Sequence, residues 1–321
     1  MSTRKLMVPV TREVRAYFAP VQRPGGIPAL FDPAKHGAFD LDAPPAPWLD
    51  LGWAQNLKRT STTKTESACA GSKGASGVQY RTGLEARVEV EFREWGKLQM
   101  ALAAGSQHMN VLAAETGGEE GASGGAPVAA VPLLAGSTST ELKLGANAGQ
   151  FEAGDLVAVD LDYQQQTGYV GAGIAAAYVR DPMDVLQHPD YIRRVTFNVG
   201  RVAGKTGDVL VLDQPLLGGV PPSGAAVQKV MAFVDREGGS FFQEWSALLV
   251  LPEESGGRVC FYYPRLQSGA PASEAAVEIA RPLEAMALRA SFMAMPYEDR
   301  NDGEQVVCFR SYFPAVNAPV Y

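Results

Sequence analysis

Three cysteines and three histidines in 321 residues leave this chain poorly supplied for metal, redox or nucleophilic chemistry. Cys69, Cys260 and Cys308 are odd in number and far apart, which implies no disulfide framework and points to synthesis in a reducing compartment. Cys260 and Cys308 sit in apolar runs and read as core thiols. His36, His108 and His188 fall in an arm, a turn and a loop, and none has another His, Cys or Asp at ligand spacing. No metal, cofactor or catalytic residue is therefore assigned. Basic charge is short as well: the net charge is −7 and the pI about 5.2. That disfavours a protein that grips nucleic acid by neutralising phosphates, though not a surface past which DNA slides. No apolar run approaches the length of a membrane span, and Leu6 to Val10 is too short for a signal sequence. The expectation is a soluble chain made in the cytoplasm.

What is plentiful is glycine (34) and proline (22), against only 20% charged residues. With few helical patterns, this favours a β-rich, turn-rich architecture. The clearest segment runs from Val78 to Leu112. Leu84, Ala86, Val88, Val90 and Phe92 alternate with Glu85, Arg87, Glu89, Glu91 and Arg93, a period of two with one apolar and one charged face. From Glu94 the period lengthens: Trp95, Leu98 and Leu102 share a helix face, and Gly105 stops it.

The chain divides into four regions. Residues 1–50, with RPGGIPALFDP and DAPPAPW, form an extended N-terminal arm whose Phe18, Leu30, Phe31, Phe39 and Trp48 are anchors for a partner or for its own domain. Residues 51–127 hold a Thr/Ser-rich strand, the strand-and-helix unit and a Gly-rich linker. Residues 128–236 change style to short alternating strands, with a hairpin signal where Val195–Val202 and Val209–Leu212 flank AGKTGD. They read as a small inserted β-barrel-like domain, interrupted by a long loop at DPMDVLQHPDY. Residues 237–321 resume long strands. Ala247–Leu251 and Arg258–Tyr263 bracket PEESGG as one hairpin. A second is expected from Met286–Met295, turning at EDRNDG and returning through Gln305–Phe313.

Two enzyme-like motifs fail on context. Gly121-Ala122-Ser123-Gly124-Gly125 fits a nucleophile elbow but has no strand before it or helix after it. Gly171-Ala172-Gly173-Ile174-Ala175-Ala176 fits a dinucleotide fingerprint without the upstream buried strand. Glu119–Glu120 lies in the Gly-rich linker, where adjacent carboxylates are simply solvated.

LGWAQNLKRTSTTKTESACAG, the long strand and EWGKLQMALAAGSQHMNVL together resemble the N-terminal half of phage tail tube proteins. FYYPRL, PLEAMALRASFMAMPYED and VVCFRSYFP are similar to their C-terminal half. The inner-tube proteins of contractile injection and type VI secretion machines share that fold. The resemblance covers residues of about 50–115 and 237–315, and the inserted module is a departure from it.

The resemblance implies a mainly β, tail-tube-type sandwich or barrel with one short flanking helix, interrupted by a small all-β domain. It further implies a non-enzymatic virion protein that self-assembles into stacked, hexameric rings conducting DNA without specific binding. Its other partners would be the tape measure, distal tail and terminator proteins of the tail, with no membrane. On that footing, Val78–Arg93 and Met286–Met295 are expected to join neighbouring subunits. Glu85, Arg87, Glu89, Glu91, Arg93, Arg289, Ser291 and Met293 are lumen or inter-subunit candidates, the three glutamates giving a neutral to negative channel wall. An ordinary solvated face explains the same stripe. Trp95, Leu98 and Leu102 are expected to pack the helix. A reading of a different class is a β-module that recognises host-surface carbohydrate through the insert. An intracellular hydrolase has only the failed motifs in its favour.

Overall fold

The computed structural model describes residues 13–21, 27–36, 39–69, 76–105, 107–113, 128–160, 193–194, 196–236, 244–253, 256–269 and 288–314. The chain is mainly β and divides into two compact units. One comprises residues 1–21, 28–105 and 242–321, and the other residues 22–27 and 106–241.

The first unit opens with β1 (Val14–Pro20), the one-turn helix α1 (Pro33–His36), β2 (Leu49–Cys69), β3 (Ser76–Phe92) and α2 (Lys97–Ala104). The second holds β4 (Gln107–Leu112), β5 (Val131–Pro132), β6 (Glu141–Lys143) and β7 (Leu156–Asp160). It continues with β8 (Arg193–Arg194), β9 (Val199–Thr206), β10 (Val209–Leu212) and β11 (Ala226–Arg236). The first unit resumes with β12 (Glu244–Pro252), β13 (Arg258–Ser268), β14 (Leu288–Ala294), β15 (Tyr297–Glu298), β16 (Gln305–Val306) and β17 (Phe309–Phe313).

In the first unit the strands run β12-β1-β2-β3-β14-β13, and β13 pairs back onto β12. Six antiparallel strands thus form a closed circuit, which removes sheet edges from the barrel itself. The alternating apolar positions of both chain halves meet in it: Phe18 of β1 packs against Phe92 of β3 and Phe292 of β14, with ring centroids 6.4 and 5.4 Å away. Arg59 lies over Phe261 at 4.6 Å and donates to the Tyr263 hydroxyl, satisfying a buried phenol.

The Pro-rich opening stretch is not a free arm. β1 is an interior strand between β12 and β2. Phe31 and Trp48 are buried with Tyr17, Leu248, Val250 and Tyr262, and Phe39 packs at their margin. Of the anchors read from sequence, only Leu30 stays largely exposed. The physical reason is that β1, β12 and β13 leave an apolar outer face that these rings cover.

The expected hairpin from Met286 to Phe313 is also corrected. β14 pairs with β3 and with Leu266–Ser268 of β13, while β17 pairs with Arg258–Tyr262 of β13. The two strands divide one edge of β13 between them, and only the two-residue strands β15 and β16 pair across the EDRNDG turn. The β12–β13 hairpin is as read.

The second unit is one antiparallel sheet in the order β6-β10-β9-β7-β11-β4-β8, with β5 also on β11. Leu142, Leu144, Phe151, Val157, Val159, Leu210 and Val227 form its main core. Among the described residues this sheet is open at β6 and β8 rather than closed as a barrel. The β9–β10 hairpin turns at Gly207-Asp208, where Gly207 has φ +59° and carries no Cβ to oppose it.

β4 pairs with β11 from Gln107↔Arg236 to Leu112↔Val230, so the second unit begins at Ser106 rather than at Val128. The backbone hydrogen bonds of β4 have their partners there, whatever its position in sequence. The points of departure and return on the first unit are close together. A Cβ on Gly105 would lie 2.3 Å from Ser268 Oγ, and Glu244 pairs with Gln267. Inserted domains usually require such closeness. Excising residues 106–241 behind a short glycine linker should leave the first unit folded. Excising only 128–234 should give insoluble protein, because β4 loses its partner strand. All four tryptophans (Trp48, Trp53, Trp95, Trp245) lie in the first unit, so their fluorescence on denaturation distinguishes the outcomes.

Candidate assembly face

The charged residues chosen from sequence, Arg93 excepted, converge on one outer face made by β2, β3 and β14. Glu91 is opposite Arg289, Glu89 opposite Ser291, and Arg87 opposite Met293. On the other side of β3, Gln55 is opposite Glu91, Lys58 opposite Glu89, Thr60 opposite Arg87 and Thr62 opposite Glu85. Their alternates Val88, Val90, Phe92, Ala290 and Phe292 are buried, which fixes the face these side chains present.

A bulge in β2 completes the arrangement. Between Gln55 and Lys58 the strand carries one residue more than β3 opposite, and Asn56 takes φ +55°. The bulge turns Lys58 onto the charged face and Arg59 inward. It also brings Gln55 Nε2 to 2.6 Å and Asn56 Nδ2 to 3.1 Å from the Glu91 carboxylate.

Each glutamate on this face has its own cation. Lys64 Nζ is 2.5 Å from Glu85, Lys58 Nζ 3.7 Å from Glu89, and Arg289 Nε 3.2 Å from Glu91. Lys64, first by hydrogen bond and then by charge, holds the Glu85 carboxyl below its usual range. Three carboxylates therefore stand among four cations (Lys58, Lys64, Arg87, Arg289). The face is charge-balanced, because β2 supplies lysines in register beside the glutamates. Arg93 is not part of it: it follows the end of β3 and pairs with Glu13.

Glu91 differs from its neighbours, being only 6% exposed. Burial would raise its pKa, but hydrogen bonds from Gln55, Asn56 and Arg289 prevail and hold it low. Such a carboxylate contributes stability that is present above the unfolded value near 4.3 and lost as pH falls through the depressed folded value. Glu91→Gln should lower stability at pH 7 by about 1–3 kcal/mol. Urea midpoints measured from pH 7 to pH 3 should then fall less steeply for the variant than for the parent.

Helix α2 lies against the barrel through Leu98, Gln99, Ala101 and Leu102, with Gln99 donating to the Leu51 carbonyl at 3.1 Å. Leu98 and Leu102 pack as expected. Trp95 lies outside the helix: α2 begins after Gly96, and Trp95 precedes it at 49% exposure. Gly105 ends the helix in the left-handed conformation, its N–H donating to Ala101.

Cys260 is fully buried, and burial pushes its thiol up to about 12; Cys308 is half-buried. The side chain of Cys69 is outside the described residues. His36 ends α1 with its ring 6.2 Å from Phe31. Residues 119–120, 121–125, 171–176 and 181–191, with the side chain of His108, also lie outside the described residues. Among the described residues no group of three or more His, Cys, Asp or Glu is placed to hold a metal, and no helix is long and apolar enough to cross a membrane.

Sequence reading missed Gln55, Asn56, Lys58 and Lys64. The Thr/Ser-rich run signalled an exposed strand, but the bulge that aims these side chains has no sequence signature beyond an asparagine. No family model matches the chain, and no curated protein matches it.

Proposed function

We propose that this chain is the structural subunit of a phage tail tube, or of the inner tube of a related injection machine, and that it self-assembles into stacked rings. The observation that carries the reading is the β2–β3 ribbon. β1 pairs only with Leu49–Ala54 of β2, and β14 only with Ala86–Phe92 of β3. The rest of both strands, out to Cys69 and Ser76, has no strand on its outer edges among the described residues. From Lys58 to Ser67 nearly every residue is exposed. A two-stranded ribbon of that length is marginal in water by itself, and its open edges are templates for another chain.

The closed circuit and the short helix α2 beside it agree with the barrel that the resemblance implies. The joint between copies is not β3 with β14, since these pair within one chain; it belongs to the ribbon. A balanced charged face on β2, β3 and β14 suits a channel wall that neither holds nor strongly repels DNA. The subunit would be made in the host cytoplasm and end in the virion, with other tail proteins at the tube ends.

The purified full chain should form rings or filaments in negative-stain microscopy, with matching fast sedimentation. A ribbon shortened to Arg59–Arg87 across a two-residue turn should remain monomeric and folded. A parent that stays a small defined oligomer at every concentration would remove the tube reading and favour the β-module that binds carbohydrate.

A further inference from the structure

We propose that the first unit carries a saccharide site, an aromatic and polar cleft beside α1 that takes a neutral, polyhydroxylated ring. The inference is independent of ring formation, since the whole cleft belongs to the first unit of one copy. The cleft has a volume of about 600 Å³, room for roughly one or two sugar rings. Tyr262 of β13 and Phe309 and Ser311 of β17 line it. The α1 segment adds Asp32, and β15 with the turn that follows adds Tyr297, Asp299 and Arg300.

The lining is held in place by its own hydrogen bonds, which leave part of its polar capacity unspent. Tyr262 stacks on Phe309 at 5.7 Å with an interplanar angle of 18°, and its hydroxyl donates to the Ala29 carbonyl. Asp32 Oδ1 accepts from the Ala34 N–H at 2.9 Å, while Oδ2 has only the exposed Lys35 at 3.5 Å. Asp299 Oδ1 accepts from both nitrogens of Asn301, and the Asp299 carbonyl accepts from Gly303. Asp299 Oδ2 is left for another donor. Among the described residues, the side chains of Tyr297, Arg300 and Ser311 make no hydrogen bond or ion pair.

The balance of these groups selects the ligand. Asp32 and Asp299 are set against Arg300 and Arg310 in the lining, so neither an anion nor a cation is favoured. A purely apolar ligand would leave the unspent donors and acceptors without partners. A hydroxyl donates and accepts at once, which matches a lining that offers both. Carboxylate and guanidinium groups are planar and two-pronged, so each can span neighbouring hydroxyls of a sugar ring. Tyr297 and Phe309 are both partly exposed, and the negative face of an aromatic ring suits the C–H surface of the sugar.

The test titrates the full-length protein with neutral disaccharides (maltose, cellobiose, lactose, mannobiose and chitobiose), read by calorimetry and saturation-transfer nuclear magnetic resonance. At least one should bind saturably, and a sulfated heparin disaccharide should bind more weakly than it does. Tyr297→Ala and Arg300→Ala should each weaken that binding by roughly tenfold, with an unchanged fluorescence midpoint on denaturation. Arg300 is exposed, so its variant reads the site even where the loss of Tyr297 disturbs β15. The site is overturned if no neutral disaccharide binds saturably, or if the heparin disaccharide binds more tightly than all of them. Folded variants that bind like the parent place the sugar elsewhere and overturn it as well. None of these outcomes bears on whether the chain forms rings.

Discussion

Phe18→Ala should destabilise the first unit by about 3–5 kcal/mol, the range for emptying a buried aromatic site. Phe18 is 1% exposed on an interior strand, and its ring meets Phe92 and Phe292. Those partners come from segments on either side of the second unit, so the ring ties the two halves of the barrel together. Closed barrels collapse poorly around a void because every strand is held on both sides. Equilibrium denaturation followed by tryptophan fluorescence reports the first unit alone, since all four tryptophans are there. That transition should move to lower denaturant, while the circular-dichroism component of the second unit stays in place. An unchanged fluorescence midpoint would contradict the barrel core described above.

Val88→Pro should abolish the barrel, at a cost of about 3 kcal/mol or more from the proline alone. Val88 is 1% exposed and pairs with Arg59 on one side and Phe292 on the other. From sequence, the same change is expected to block ring formation by spoiling an edge between subunits. The pairing makes it a central position, so the loss comes first in folding. Proteolysis and near-ultraviolet circular dichroism should show an unfolded first unit, not a folded monomer. A soluble, folded Val88→Pro monomer would return β3 to the subunit interface.

The two expected losses share a cause visible in the sequence. The alternation of Leu84 to Phe92, and of Leu288 to Ala294, fixes which side chains are buried on each strand. It fixes equally that Glu85, Arg87, Glu89, Glu91, Arg289, Ser291 and Met293 share the opposite orientation. The short helix with Leu98 and Leu102 inward and Gly105 at its end is equally local, as are the β12–β13 hairpin and the Gly207 turn. Period, turn chemistry and helix stops act over a few residues, and a sequence displays them directly.

Partner choice is not local. That β1 enters the barrel, that β14 and β17 divide one edge of β13, and that β4 belongs with β11 are contests among strands of similar composition. They are decided by which arrangement buries the most apolar surface and leaves the fewest unpaired amides. Charge balance follows the same rule. The sequence shows three glutamates in a row of alternates, but only the register of β2, shifted by the bulge at Asn56, sets Lys58 and Lys64 beside Glu89 and Glu85. The sequence by itself determined the faces of the strands and the chemistry they carry. The tertiary structure decided which faces meet, because pairing energy depends on neighbours tens to hundreds of residues away.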